Sequence, residues 1–220
     1  PLGRIALLRS TEKHASGLNP VLALHGWLDN AASFIPLSSH LQGIELVVPD
    51  LPGHGRSAHL PPGADYSFAG AVNAVLDIAD APGWSRFSLL GHSMGAGIGS
   101  LLAAACPQRI ARFVAIEALG ALAEIPENTV LRLREAIGAT RALVEKSLRI
   151  FPDVETAIRA RMQANAVREP VTRRLFERGV NAVDGGYLWS SDHSMPRRTM
   201  LGPTAPPVRN PGRVSTRTPR

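Results

Sequence analysis

FSLLGHSMGAG, residues 87–97, is the stretch on which the reading of this chain turns. Phe87 to Leu90 is a continuous apolar run of the kind that forms strands buried on both faces, and Met94 to Ala105 is rich in small residues at helical spacing. Between them Gly91-His92-Ser93-Met94-Gly95 reads as G-x-S-x-G in a strand-turn-helix setting, the only setting in which that motif carries meaning. A serine at such a corner occupies a strained turn, so the residues two before and two after it must be small for neighbouring backbones to approach. Its hydroxyl is then exposed beside the positive end of a helix, opening into the main pocket, and the Met94 N–H can donate to an oxyanion. Two other readings fail. Phe87 to Cys106 is 20 residues without a formal charge, the length of a membrane span, but His92, Ser93 and Ser100 are poor lipid neighbours. Gly95-Ala96-Gly97-Ile98-Gly99-Ser100 does not fit the G-x-G-x-x-G of a dinucleotide site.

Working outward, further apolar runs occur at Arg4 to Leu8, Val21 to Leu24, Glu45 to Val48 and Phe113 to Ile116, alternating with helical stretches at Ala31 to Leu41 and Ser67 to Ala79. Strand and helix in this order predict an α/β fold with a doubly wound, mostly parallel sheet. After Leu119 no strand is expected. From Pro126 to about Arg178 the sequence is helical in character, with Leu131, Leu133, Ile137, Leu143, Leu148 and Ile150 among Arg and Glu, and with breaks at Phe151-Pro152-Asp153 and Glu169-Pro170. The expected organisation is a core over 1–122, a helical cap over 123–192 and a disordered tail over 193–220.

Composition bounds the function. The 220 residues carry 24 Lys and Arg against 18 Asp and Glu, a net charge of +6. The whole excess lies in 194–220, where Arg197, Arg198, Arg209, Arg213, Arg217 and Arg220 have no acidic counterpart. The rest is balanced, and the basic tail has no aromatic platform, which argues against a nucleic-acid partner. Six prolines and no aromatic residue leave that tail too little apolar surface to offset its ordering entropy. The single cysteine, Cys106, offers no disulfide or CxxC pair, and no HExxH or other metal spacing links the seven histidines. A reducing compartment, the cytoplasm, is expected, with no cofactor, no metal and no membrane span. Pro1-Leu2-Gly3-Arg4 has neither an initiator Met nor an apolar signal run, as in a processed chain or a fragment. Oligomeric state is not readable.

Two further motifs flank the elbow. His25-Gly26-Trp27 ends the run Val21 to Leu24, where a backbone N–H can supply the second oxyanion donor; the Trp27 N–H is the one favoured, with His25 and Gly26 shaping the loop. Pro49-Asp50-Leu51-Pro52-Gly53-His54-Gly55-Arg56-Ser57 follows the run Glu45 to Val48 as a rigid turn, in which Asp50 and His54 fix a loop bordering the site.

HGW (25–27), PDLPGHGRS (49–57) and GHSMGAG (91–97), in this order and spacing, resemble the α/β-hydrolase superfamily. AIEALG (115–120) and DGGYLWSSD (184–192) resemble its serine hydrolase-like branch. The resemblance covers about residues 3–192. It implies Ser93 as nucleophile, Trp27 and Met94 N–H groups as the oxyanion hole, and a small acyl ester as substrate, with much of the acyl pocket built by the cap. Gly91, His92 and Gly95 then support the elbow. Glu117 follows the run Phe113 to Ile116, where related hydrolases can place the acid that orients the base. Family order also calls for two more core strands and a histidine after the cap. Only His193 follows Ser93, and Arg, Pro, Thr and Gly fill 194–220 in place of those strands, so the resemblance implies a core incomplete at its C-terminus. The expected function is a carboxylic ester hydrolase; the alternative is a catalytically impaired hydrolase-like protein. His14, His40, His54 and His59 read as loop or helix-surface residues.

Overall fold

A computed structural model describes residues 3–10, 19–61, 64, 66–120, 128–144, 149–165 and 167–195. His14, Leu148, the Pro126 start of the helical stretch and the tail beyond 195 lie outside these.

Five strands form the sheet: β1 (Leu7–Arg9), β2 (Val21–Leu24), β3 (Leu46–Pro49), β4 (Phe87–His92) and β5 (Ile110–Ile116), in the order β1-β3-β2-β4-β5. β2, β3, β4 and β5 are parallel, and β1 joins β3 antiparallel. Side chains alternate across the sheet with period two, and both faces of the central strands β2, β3 and β4 are covered. Leu22, Leu24, Val47, Phe87 and Leu89 pack on one face with residues of α2 (Phe68–Asp80) and α3 (Met94–Ala105). Ala23, Leu46, Val48 and Leu90 pack on the other against Ala31 and Phe34 of a 3-10 turn (Ala31–Phe34) that leads into α1 (Ile35–Ser38). The helix expected over Ala31 to Leu41 is thus short and mixed, because Pro36 and consecutive serines give it few propagating residues.

α2 starts where Ser67 caps it, its hydroxyl accepting from the Gly70 N–H at 3.1 Å. The long apolar stretch from Phe87 divides into a six-residue strand, a corner and a 12-residue helix, and among the described residues no helix is long and apolar enough to cross a membrane.

Three helices follow β5: α4 (Thr129–Val144), α5 (Val154–Asn165) and α6 (Glu169–Arg178). Strands then resume, against expectation. β6 (Val180–Val183) and β7 (Gly186–Trp189) form an antiparallel hairpin around Asp184-Gly185. Gly185 at φ 85° supplies the left-handed corner, and Asp-Gly between β-forming residues is a hairpin signal. Phe151, Ala157, Ile158 and Phe176 make a separate small core with Tyr187 and Trp189. α4 is formed, but its Val130, Leu131, Leu133 and Ile137 are exposed, so its apolar periodicity does not mark a buried stripe. β5 is the end strand among the described residues, with Val114 55% exposed.

Candidate active site

Ser93 stands between the end of β4 and the first residue of α3 at φ 51°, ψ −113°, a conformation L-residues rarely adopt. The corner is tight on both sides. A Cβ on Gly91 would lie 2.5 Å from Ala96 Cα, and one on Gly95 would overlap the Leu24 carbonyl oxygen. Glycine at both positions is therefore a steric requirement of packing α3 against β2 and β4. The corner is pinned by Ser93 N–H to Ile116 O at 3.0 Å, while Ser93 O accepts from the Ala96 and Gly97 N–H groups at 3.0 Å. Met94, 2% exposed, opens the helix, so its N–H has no intrahelical partner.

The loop after β2 faces this corner. His25 is fully buried and donates from Nδ1 to Gly26 O at 2.8 Å, while its Nε2 accepts the Leu51 N–H at 3.0 Å. Both nitrogens are committed, and burial lowers its pKa, so it stays neutral and braces the loop. Gly26, Trp27, Leu28 and Asp29 form a turn closed by Asp29 N–H to Gly26 O at 3.1 Å. A Cβ on Gly26 would sit 3.0 Å from His92 Nδ1, so the elbow histidine lies against this turn.

His92 is half-buried, with Nε2 3.4 Å from Glu117 Oε2 and Nδ1 4.0 Å from Asp29 Oδ2. Glu117 follows β5 at φ 72° and its side chain is 64% exposed. His193 lies beside Asp192, with Nδ1 4.0 Å from Oδ1. The structure sets the His92 imidazole between two carboxylates.

Asp50 and His54 are both buried, so His54 is a loop residue turned inward. Asp50 Oδ1 accepts from the Ala31 N–H at 2.7 Å and from Arg178 Nε at 2.9 Å, and Oδ2 accepts from the Arg56 N–H at 2.9 Å. One carboxylate thus ties the loop after β3 to the 3-10 turn and to α6. His54 donates from Nδ1 to Pro52 O at 3.0 Å, and its ring packs edge-on to His25 and Trp27. Burial, then the neighbouring His25, pushes its pKa down to about 3.

The DGGYLWSSD segment locks onto the same loop. Ser190 Oγ donates to Gly55 O at 2.6 Å, and the Asp192 N–H to Gly53 O at 2.8 Å. Asp192 also accepts from Tyr66 Oη at 2.6 Å and from the Ser194 N–H at 2.9 Å. Burial alone would raise the Asp192 pKa, but these donors hold it below the usual carboxylate range.

An apolar cavity of about 80 Å³ adjoins the corner, lined by Leu51, His54, Leu60, Tyr66, Met94 and Ile98 among others. Met94 lines it but Ser93 does not, and among the described residues none of α4 to α6 contributes. The described lining of this cavity comes from the core. Among the described residues, no group of three or more His, Cys, Asp or Glu is placed to hold a metal ion.

Comparison with known proteins follows the same lines. The family model of the alpha/beta hydrolase fold matches residues 19–190. A serine hydrolase-like protein of Dictyostelium discoideum is 33% identical over 167 residues, 74% of this chain and 46% of that one. One of Danio rerio is 31% identical over 178 residues, 79% of this chain and 55% of that one. The chain spans about half the length of these curated relatives. Among solved structures, a hypothetical protein of Pseudomonas aeruginosa is 38% identical with a TM-score of 0.80, covering 89% of this chain and 73% of that one. The thioesterase domain from the curacin biosynthetic pathway is 29% identical with a TM-score of 0.72, covering 90% of this chain and 69% of that one.

Proposed function

Because the chain belongs to the α/β-hydrolase family, in its serine hydrolase-like branch, we propose that it is a serine hydrolase of small carboxylic esters with Ser93 as nucleophile. The observation that carries this is the Ser93 corner, whose strained backbone and flanking glycines lift a hydroxyl beside the start of α3. Backbone strain of this kind costs on the order of 1–3 kcal/mol and persists only where its surroundings enforce it.

In this reading Ser93 Oγ adds to the acyl carbon and gives its proton to a base. The oxyanion accepts from the Trp27 and Met94 N–H groups. The alcohol leaves with the proton, and water repeats the sequence to free the acid. Two imidazoles of the described residues are candidates for the base: His92, paired with Glu117, and His193, beside Asp192. Glu117 is the proposed orienting acid. The cavity under Met94 has room for an acyl chain of a few carbons, and α4 to α6 act as a cap over the strand ends. The single free cysteine, Cys106, suits the reducing cytoplasm.

One observation favours a second reading, a ligand-binding protein with an impaired site. Both nitrogens of His92 face carboxylates, which leaves neither clearly directed at Ser93. p-Nitrophenyl acetate, butyrate and octanoate separate the two. The hydrolase reading expects turnover that Ser93→Ala abolishes, falling from the short esters to octanoate; equal rates in the parent and Ser93→Ala favour the second.

A further inference from the structure

The turn assigned one of the oxyanion donors is strained by its own sequence. Its third residue is Leu28, at φ 56°. A turn with positive φ at that place is suited to glycine, because the Cβ of any other residue crowds a carbonyl oxygen. Something outside the turn must hold it.

Arg161 of α5 is so placed. Its guanidinium donates to Leu28 O at 3.0 Å and to Asp29 Oδ1 at 2.9 Å. The guanidinium lies 5.5 Å over the Trp189 ring, which meets Phe176 edge-on, so the small core of α5, α6 and β7 fixes its position. The Arg161 side chain is 10% exposed, and little water competes for these contacts. Asp29 Oδ2 in turn approaches His92 Nδ1 at 4.0 Å, and the His92 ring lies against Gly26. One connected set of groups therefore runs from α5 through the turn to the nucleophile corner.

We propose that Arg161 is a positioning residue of the oxyanion hole: by holding Leu28 in its left-handed conformation it aims the Trp27 N–H, so that docking of α5 and assembly of the hole are one event. This rests on the reading of Ser93 as nucleophile and of Trp27 as oxyanion donor. Trp27 is the second residue of the turn, and its N–H takes no part in the turn's own hydrogen bond. Its direction follows the backbone angles of the turn. Without Arg161, Leu28 relaxes toward negative φ, and the adjoining peptide planes rotate with it. A donor that matters only where negative charge develops affects bond formation and leaves binding unchanged.

The test is saturation labelling of the full chain by an aryl fluorophosphonate. Ser93 Oγ bonds to phosphorus, fluoride leaves, and the hydroxyl proton passes to a base or to solvent. The maximal rate (kinact) and half-saturating concentration (KI) are measured for the parent, Arg161→Met, Arg161→Lys, Leu28→Gly and Arg161→Met with Leu28→Gly. Arg161→Met is expected to lower kinact about tenfold, the scale of one strained left-handed residue, with KI within about twofold. Arg161→Lys, which keeps the charge, should fall between, and Leu28→Gly should restore most of the Arg161→Met loss because glycine is unstrained there. Hydrogen exchange should quicken in Arg161→Met over residues 26–29 and not across the sheet. Unchanged kinact in Arg161→Met, or no recovery with Leu28→Gly, overturns the proposal while Ser93-dependent labelling of the parent keeps the nucleophile reading. General loss of exchange protection with kinact and KI both disturbed marks a merely structural residue and also overturns it. No Ser93-dependent labelling of the parent overturns the nucleophile reading and this proposal together.

Discussion

Asp50→Asn is the substitution with the most calculable cost. The Asp50 side chain is fully buried and accepts three hydrogen bonds, from the Ala31 N–H, the Arg56 N–H and Arg178 Nε. An amide in its place has one oxygen where the carboxylate has two. Whichever way it is turned, an NH2 faces at least one donor, and a buried N–H is left unsatisfied at about 1–3 kcal/mol. Arg178, its side chain 11% exposed, also loses its counter-charge; breaking a buried pair by removing one partner costs about 3–5 kcal/mol. The two losses overlap, since both involve the same oxygens, so about 4 kcal/mol is expected. At a urea slope of about 2 kcal/mol/M that lowers the unfolding midpoint by about 2 M. Arg178→Met added to Asp50→Asn should cost little more, because the unpaired charge is then gone. A midpoint for Asp50→Asn within about 0.25 M of the parent, equivalent to about 0.5 kcal/mol, would refute the view that this carboxylate ties the loop to α6.

Gly95→Ala should cost more than about 3 kcal/mol or prevent folding, since its Cβ overlaps the rigid Leu24 carbonyl, whereas Gly138→Ala, with open space around it in α4, should be neutral or stabilising by up to about 1 kcal/mol; paired urea melts check both. His54 and His25 are held neutral by burial, with folded pKa values below those of the unfolded chain. The unfolded state therefore binds more protons below about pH 6.5; stability is full above that and falls through His54 by about 1.4 kcal/mol per pH unit on acidification toward about pH 3, with His25 acting in the same direction. Thermal unfolding midpoints that stay flat from pH 7 to pH 4.5 would contradict this. Tyr66→Phe removes the hydroxyl that donates to Asp192 and accepts from the Leu60 N–H, and should cost about 1.5–3 kcal/mol in a urea melt.

What the sequence discloses follows the range of the physics involved. Gly91, Ser93 and Gly95 are legible because their constraint is local: a strand turning sharply into a helix needs small residues at fixed offsets. The sheet was legible for a similar reason, since the runs Val21 to Leu24 and Phe87 to Leu90 fill strands covered on both faces. Arg161 was not, because its partners Leu28 and Asp29 lie 133 and 132 residues away and nothing in a helix rich in arginine marks the one that turns inward. Leu28 was hidden too, as leucine gives no sign of positive φ. The hairpin around Asp184-Gly185 carries a local signal, an Asp-Gly pair between β-forming residues, that the expectation of no strand after Leu119 left unused. The burial of His54 was not legible, because Pro52, Gly53 and Gly55 mark a turn without showing that it folds inward around the buried Asp50 carboxylate.

The central claim is that Ser93 is an activated nucleophile, and mapping of a fluorophosphonate adduct by peptide mass tests it most directly. The parent chain should carry one phosphonyl group, on the peptide containing Ser93, and Ser93→Ala should carry none. An unlabelled parent that is folded by hydrogen exchange, or a label on another serine that survives Ser93→Ala, would contradict it.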